Sequence, residues 1–209
     1  MSLEEQTIGI IKPHFFQQSV DIIDMIFESG LDVPFVAIIQ KVDRSVLDMQ
    51  YAYTSDEFRG YGENQLKTCE KEHLHPYAYL ASTDPFLIGR EVIERHKDYM
   101  MSGGLVAIFI EGVNAKARLK TLAGKTEPIS AVPGTIRYEF SGKYGDHPAV
   151  INSYLKALTS KSTLHNVIHI PDPELAQRDL DIWRDNEDKM LVIATMKPEE
   201  LPLYLNTKR

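Results

Sequence analysis

Two periods alternate along the chain. "TIGIIKP" (7–13) is a short β-rich run closed by Pro13, the pattern of a buried strand. In "SVDIIDMIFESG" (19–30), Ile22, Ile23, Ile26 and Phe27 share one helical face and Gly30 stands where such a helix stops. "LDVPFVAIIQKV" (31–42) reads as the next strand, with Pro34 near its start or on an edge. "DRSVLDMQYAY" (43–53) predicts a short helix capped by Asp43. Residues 54–88 keep no clean period and predict an excursion of short helices. "GREVIERHKDYMMSGG" (89–104) is helical again and stops at the glycine pair. "LVAIFIEG" (105–112) is the most hydrophobic strand, and "NAKARLKTLAG" (114–124) is a short helix with Asn114 as cap and Gly124 as stop. A loop-like stretch follows (125–149), then a short helix within "VINSYLKAL" (150–158), a strand "HNVIHI" (165–170) and a helix "DPELAQRDLDIW" (172–183) that Pro173 and Glu174 open. The tail begins apolar at "MLVIATM" and then turns polar.

This order is βαββαβ. It predicts an α+β fold of the ferredoxin-like kind: a four-stranded antiparallel sheet with helices packed on one face. The chain's 209 residues, 43% hydrophobic, suffice for one well-buried domain with excursions. Net charge changes the picture more. With Lys+Arg 23 against Asp+Glu 30 the chain carries −7, which disfavours general nucleic-acid binding but leaves room for a local basic pocket that takes a small anion. The lone cysteine, Cys69, forms no intrachain disulfide and fits a reducing compartment. The acidic start "MSLEEQ" is unlike a signal peptide, and no apolar run is long enough for a bilayer. The expectation is a soluble, cytoplasmic protein with no membrane partner.

Four features could carry chemistry. Lys12 ends an apolar strand, either snorkelling to solvent or held as a point charge for phosphate. "VPGTIR" (132–137) sets Arg137 in a Pro/Gly loop, either in solvent or stiffly presented to phosphate oxygens. Arg118, Lys120, Lys125 and Thr126 form what is by default a charged helix face. His169 sits within a short strand, where most histidines are satisfied core residues. It becomes a nucleophile only if a carboxylate fixes its tautomer, and Asp172 and Asp179 are the downstream candidates. No metal-ligand spacing accompanies it, so no metal held by protein side chains is expected.

"IIKP", "SGGLVAIFIEGVNA", "PGTIR", "NVIH" and "PEEL" occur together in that order, and with them the chain resembles the nucleoside diphosphate kinases over residues 5–53, 97–140, 166–183 and 198–204. The resemblance implies one domain spanning 1–209 with insertions at about 54–90, 141–165 and 184–197. It also implies a ping-pong transfer of the γ-phosphate of a nucleoside triphosphate to a nucleoside diphosphate through a phosphohistidine, Mg²⁺ arriving with the nucleotide, and a hexameric or tetrameric homo-oligomer. Residue by residue it implies His169 as nucleophile and Lys12 and Tyr51 near the γ-phosphate and the sugar end of the pocket. Arg137 and Thr126 are implied at the phosphates, Asn166 on a ribose hydroxyl, and Asp179 as the carboxylate behind the histidine.

The chain also departs from the family pattern. Ile170-Pro171-Asp172 replaces Gly-Ser-Asp after the histidine, and Asp179 stands for a glutamate. The helical phosphate-binding arginine becomes Lys120, with Arg118 an alternative occupant. Val92 falls near the base-stacking phenylalanine, with Phe86, Tyr77 or Tyr79 as substitutes, and His96 falls where an aliphatic residue is usual. Two other readings follow: a divergent nucleotide-binding or protein-interaction module with weak or no kinase activity, and a structural protein in which His169 is inert.

Overall fold

In the computed structural model, which describes residues 4–145 and 147–207, strand β1 (Glu4–Ile11) ends where Pro13 removes the next ladder donor. Helix α1 (Ser19–Glu28) buries Ile22, Ile23 and Ile26, while Phe27 lies off that stripe and is exposed. Gly30, at φ +75°, supplies the left-handed residue that ends it. Strand β2 (Asp32–Val42) slips register between Asp32 and Phe35, around Pro34. Helix α2 (Arg44–Gln50) starts on Asp43, whose carboxylate accepts from the Ser45 N–H at 2.8 Å.

Residues 54–88 depart from expectation. They form a full helix α3 (Ser55–Lys71), a single turn α4 (Pro76–Tyr79) and the start of α5 (Pro85–Met101). Helix α3 escapes the periodicity because it buries little besides Gly62, Gln65 and Cys69. Its start signal is nonetheless present: Thr54 and Glu57 cap one another's backbone N–H groups in a reciprocal box. The helices pack by glycine. A Cβ on Gly62 would sit 1.9 Å from the Pro85 carbonyl oxygen, and one on Gly89 1.7 Å from that of Phe58.

Strand β3 (Leu105–Val113) is the centre of the sheet. It pairs antiparallel with β1 from Glu4↔Val113 to Ile11↔Val106, and with β2 through Phe35↔Phe109 and Ile39↔Leu105. Helix α6 (Ala115–Ala123) follows. Asn114, the expected cap, adopts φ +54° and makes no side-chain cap bond; the Glu5 carboxylate accepts from the Lys116 N–H instead. The stretch read as a loop holds a short α7 (Ile136–Phe140), and α8 (Tyr154–Thr159) is capped by Ser153. Strand β4 shrinks to Ile168–His169, paired to β1 through Ile10↔His169, because Val167 takes a left-handed φ of +68°. Helix α9 (Ala176–Asp185), strand β5 (Met190–Met196) and helix α10 (Leu201–Asn206) complete the chain.

Among the described residues the sheet has five strands in the order β4-β1-β3-β2-β5. The first four follow the predicted ferredoxin-like order. The fifth corrects the strand count: "MLVIATM", read as part of an insertion, lies along β2 with Val42↔Met190 and Val36↔Met196. As an edge strand it leaves Leu191 and Ile193 exposed, so its apolar run lacks a clean alternation. Helices also cover both faces rather than one. Val36, Ile38, Val106 and Ile108 meet α1 and α6. Ile8, Ile10, Ile39 and Ala107 meet α2, α5 and α9 through Leu47, Ile93, Leu180 and Trp183. A strand buried on both sides reads as a continuous apolar run, as "LVAIFI" does.

Gly89→Ala drives a methyl into the Phe58 carbonyl. It is expected to destabilise the protein by about 1–3 kcal/mol. A thermal melt should then show a midpoint lower by about 2–4 °C for each kcal/mol lost.

Candidate active site

His169 leaves β4 beside a strained turn. The Ile168 N–H bonds back to the Asn166 carbonyl at 2.8 Å, a γ-turn centred on the left-handed Val167. A β-branched residue resists that conformation. Arg137, at the start of α7, holds the turn: its Nε donates to the Asn166 carbonyl at 3.2 Å and its Nη2 to the Ile168 carbonyl at 3.1 Å. Its Nη1 reaches the Gly124 carbonyl at 2.7 Å. The guanidinium is buried, which pushes its pKa down to about 10.

The imidazole is aimed by a carboxylate. His169 Nε2 lies 2.9 Å from Asp179 Oδ2, and Arg178 grips the other oxygen at 2.8 Å through Nη2 and 3.1 Å through Nε. Burial pushes the Asp179 carboxyl up, but His169 and Arg178 outweigh it and hold the group below the usual carboxylate range. For His169, burial lowers the pKa; Asp179 opposes, Lys12 and Arg137 reinforce, and the net shift is downward. A neutral ring donating from Nε2 leaves Nδ1 as the nitrogen with the lone pair. Asp172, the other candidate brace, pairs with Lys120 instead.

Lys12 is 1% exposed. Its Nζ lies 3.1 Å from His96 Nε2 and also donates to Asn166 Oδ1. Desolvation first, and Arg137 second, hold its pKa well below the ordinary lysine value. Asn166, expected at a ribose, therefore has its carbonyl oxygen on Lys12. Tyr51 packs edge-on to both His96 and His169, with ring centroids 5.3 and 5.9 Å away. Its hydroxyl and Gln50 Oε1 are buried with no protein partner among the described residues. Orphaned polar atoms of this kind call for water or a ligand.

Every residue expected at the site lines one cavity of about 520 Å³: Lys12, Tyr51, Val92, Lys120, Thr126, Arg137, Asn166, His169 and Asp179. That size suits a small-molecule ligand. His169 faces the cavity and is not sealed in the core. Arg118 does not join it; its guanidinium bonds the Ser29 and Val113 carbonyls on another surface. Phe86, Tyr77 and Tyr79 are also absent from its walls: Phe86 packs on Phe58, and Tyr77 is exposed. Tyr53 and Tyr61, stacked at 5.3 Å with hydroxyls 3.1 Å apart, line it instead. Sequence reasoning passed over them, along with Gln50 and Arg178. The Thr54/Glu57 box was the signal that could have put Tyr61 on a helix.

The ferredoxin-like sheet thus sets a carboxylate-braced imidazole beside the buried cations Lys12 and Arg137. A family model described as nucleoside diphosphate kinase matches residues 87–189. The nucleoside diphosphate kinase of Pyrobaculum aerophilum is 27% identical over 187 residues, 88% of this chain and 97% of that one. The one from Corynebacterium jeikeium is 32% identical over 126 residues, 59% of this chain and 74% of that one. The crystal structure of an NDP kinase from Pyrobaculum aerophilum superposes with a TM-score of 0.77 at 26% identity, covering 87% of this chain and 96% of that chain. The chain belongs to the nucleoside diphosphate kinase family, and it is an enzyme of that class.

Asp179→Asn removes the anion that orients the ring and is expected to slow chemistry at His169 by about 10–100-fold. Single-turnover kinetics at pH 7 would show it; an unchanged rate would mean the brace is idle. Folding stability should also fall in acid. His14, His96, His165 and His169 all bind protons less readily folded than unfolded, each chiefly through burial, with His165 lowered to about 4. Their contribution is complete above the unfolded value of about 6.5 and is lost as pH falls toward the folded values. Denaturant midpoints measured from pH 7 down to 4 should decline steadily.

Proposed function

We propose that this enzyme moves the γ-phosphoryl group of a nucleoside triphosphate to His169 and then to a nucleoside diphosphate. One observation carries the reading. The His169 imidazole donates to Asp179 through Nε2, keeps its Nδ1 lone pair, and shares a cavity with Lys12 and Arg137.

In the first step the Nδ1 lone pair bonds to the γ-phosphorus. The bond from phosphorus to the β,γ-bridging oxygen breaks, and the diphosphate leaves with that electron pair. The transition state is loose and spreads charge over the equatorial oxygens, so positioning and nearby cations supply most of the catalysis. Lys12 offers an ammonium at the end of β1, and Arg137 keeps N–H groups beyond the three already on carbonyls. Asp179 offsets the positive charge the ring acquires. A second diphosphate then takes the group by the reverse step. Lys120, at the rim, exchanges Asp172 for a phosphate oxygen. Tyr51 OH and Gln50 Oε1 are available to the sugar end.

Magnesium enters this reading with the nucleotide. The carboxylate of Asp179 is engaged by His169 and Arg178, and that of Asp172 by Lys120. Among the described residues no group of three or more His, Cys, Asp or Glu side chains could hold a metal. In this reading the cation is carried on phosphate oxygens, where it would neutralise charge.

Incubation with γ-labelled ATP and Mg²⁺ should label the protein in an acid-labile, base-stable form, and His169→Ala should take up none. Labelling of His169→Ala at the parent's level would sink the proposal. Nucleotide binding with labelling over hours rather than seconds would instead favour the divergent binding module.

A further inference from the structure

His96 comes from α5, within the helical pair that packs through Gly62 and Gly89, and both of its ring nitrogens are engaged. Nε2 lies 3.1 Å from Lys12 Nζ and Nδ1 lies 3.1 Å from Thr163 Oγ1. An ammonium donates three hydrogen bonds and accepts none. Against a charged Lys12, Nε2 must therefore carry the lone pair, and Nδ1 must hold the proton and give it to Thr163. Asn166 Oδ1 takes a second Lys12 proton. The third has no protein acceptor among the hydrogen bonds of the described residues. Lys12 is 1% exposed and Thr163 7%, while His96 is half-buried, and all three line the cavity.

We infer that His96 is a positioning residue for phosphoryl transfer: it accepts a hydrogen bond from Lys12 and, with Asn166, fixes the ammonium so that one N–H is left for a phosphate oxygen. The inference rests on the kinase reading for its purpose, but not for its geometry. An aliphatic side chain at this place would fill the same volume and leave a buried ammonium with one acceptor fewer. Thr163 accommodates the tautomer that a charged Lys12 imposes, because its hydroxyl can accept from Nδ1. Burial, then Lys12 and His169, keep His96 well below the ordinary histidine value, which preserves its lone pair through neutral pH. The other titratable and charged groups around the pair are His169 and His165 near β4, Arg137 on α7, Asp179 on α9, Tyr51 after α2 and Tyr99 further along α5. Arg137 and His169, like Lys12, oppose additional positive charge there, so an accepting nitrogen is the useful partner.

The test is a titration of Lys12 Nζ by NMR on protein carrying isotope-labelled lysine, in the parent, H96L and H96Q. Lys12 in H96L should lose its proton about tenfold more readily, a drop of about one pH unit. H96Q, whose amide oxygen can accept, should move the value back toward the parent's. Phosphorylation of His169 at pH 7 should fall about tenfold in kcat for H96L with little change in KM, and its basic limb should move to lower pH. If Leu disturbs packing, H96M removes the acceptor with a flexible apolar chain. Identical Lys12 titration in the parent and in a folded H96L or H96M would overturn the inference. Because the titration needs no turnover, failure of the parent to label at His169 sinks the kinase reading separately.

Discussion

Arg137 bonded to the carbonyls on either side of Val167 is the interaction on which the site depends. A buried valine at φ +68° costs on the order of 1–3 kcal/mol, and such a conformation persists only where its surroundings over-determine it. Here three constraints do so. Arg137 ties residues 166 and 168, the Lys12 N–H ties the Val167 carbonyl at 2.9 Å, and β1 pairs with His169 just beyond. The turn faces Asn166 to Lys12 and delivers His169 to Asp179. One guanidinium thus fixes the backbone that carries the His169 ring, and it still lines the cavity. After burial, its charge also helps to hold down the proton affinity of Lys12 and His169.

The electrostatics of the cavity follow from this crowding. Lys12 and Arg137 converge here with the imidazoles of His96 and His169, and the charge of Asp179 is shared between His169 and Arg178. Burial disfavours every one of the positive forms. An anion entering the cavity would relieve that repulsion. Lys120 differs: its pair with Asp172 is half in solvent and contributes little to stability.

Much of this was legible in the chain. Strands β1, β2 and β3 and helices α1 and α2 carry the right periods and stops, and all nine expected site residues do meet in one cavity. The misses have physical causes. Helix α3 packs through glycines, which leave no apolar stripe to read. Strand β4 looked six residues long, because nothing local announces a left-handed valine; the residues that hold it are distant in sequence. Asp172 and Asp179 were indistinguishable until helix α9 turned one toward Nε2 and left the other with Lys120. Tyr53 and Tyr61 were hidden in a stretch without period, and Arg118 and Lys120 were two residues apart on a helix whose faces point to different surfaces.

Strand β5 has a further consequence. Its ladder with β2 occupies the N–H and C=O groups that β2 would otherwise present along the border of the sheet. Another chain cannot prolong the sheet through β2 while β5 is in place. The sheet's borders are instead β5's own outer rim, on a strand that leaves Leu191 and Ile193 exposed, and β4 at the opposite edge. A strand near the end of the chain therefore decides what one border of the sheet presents.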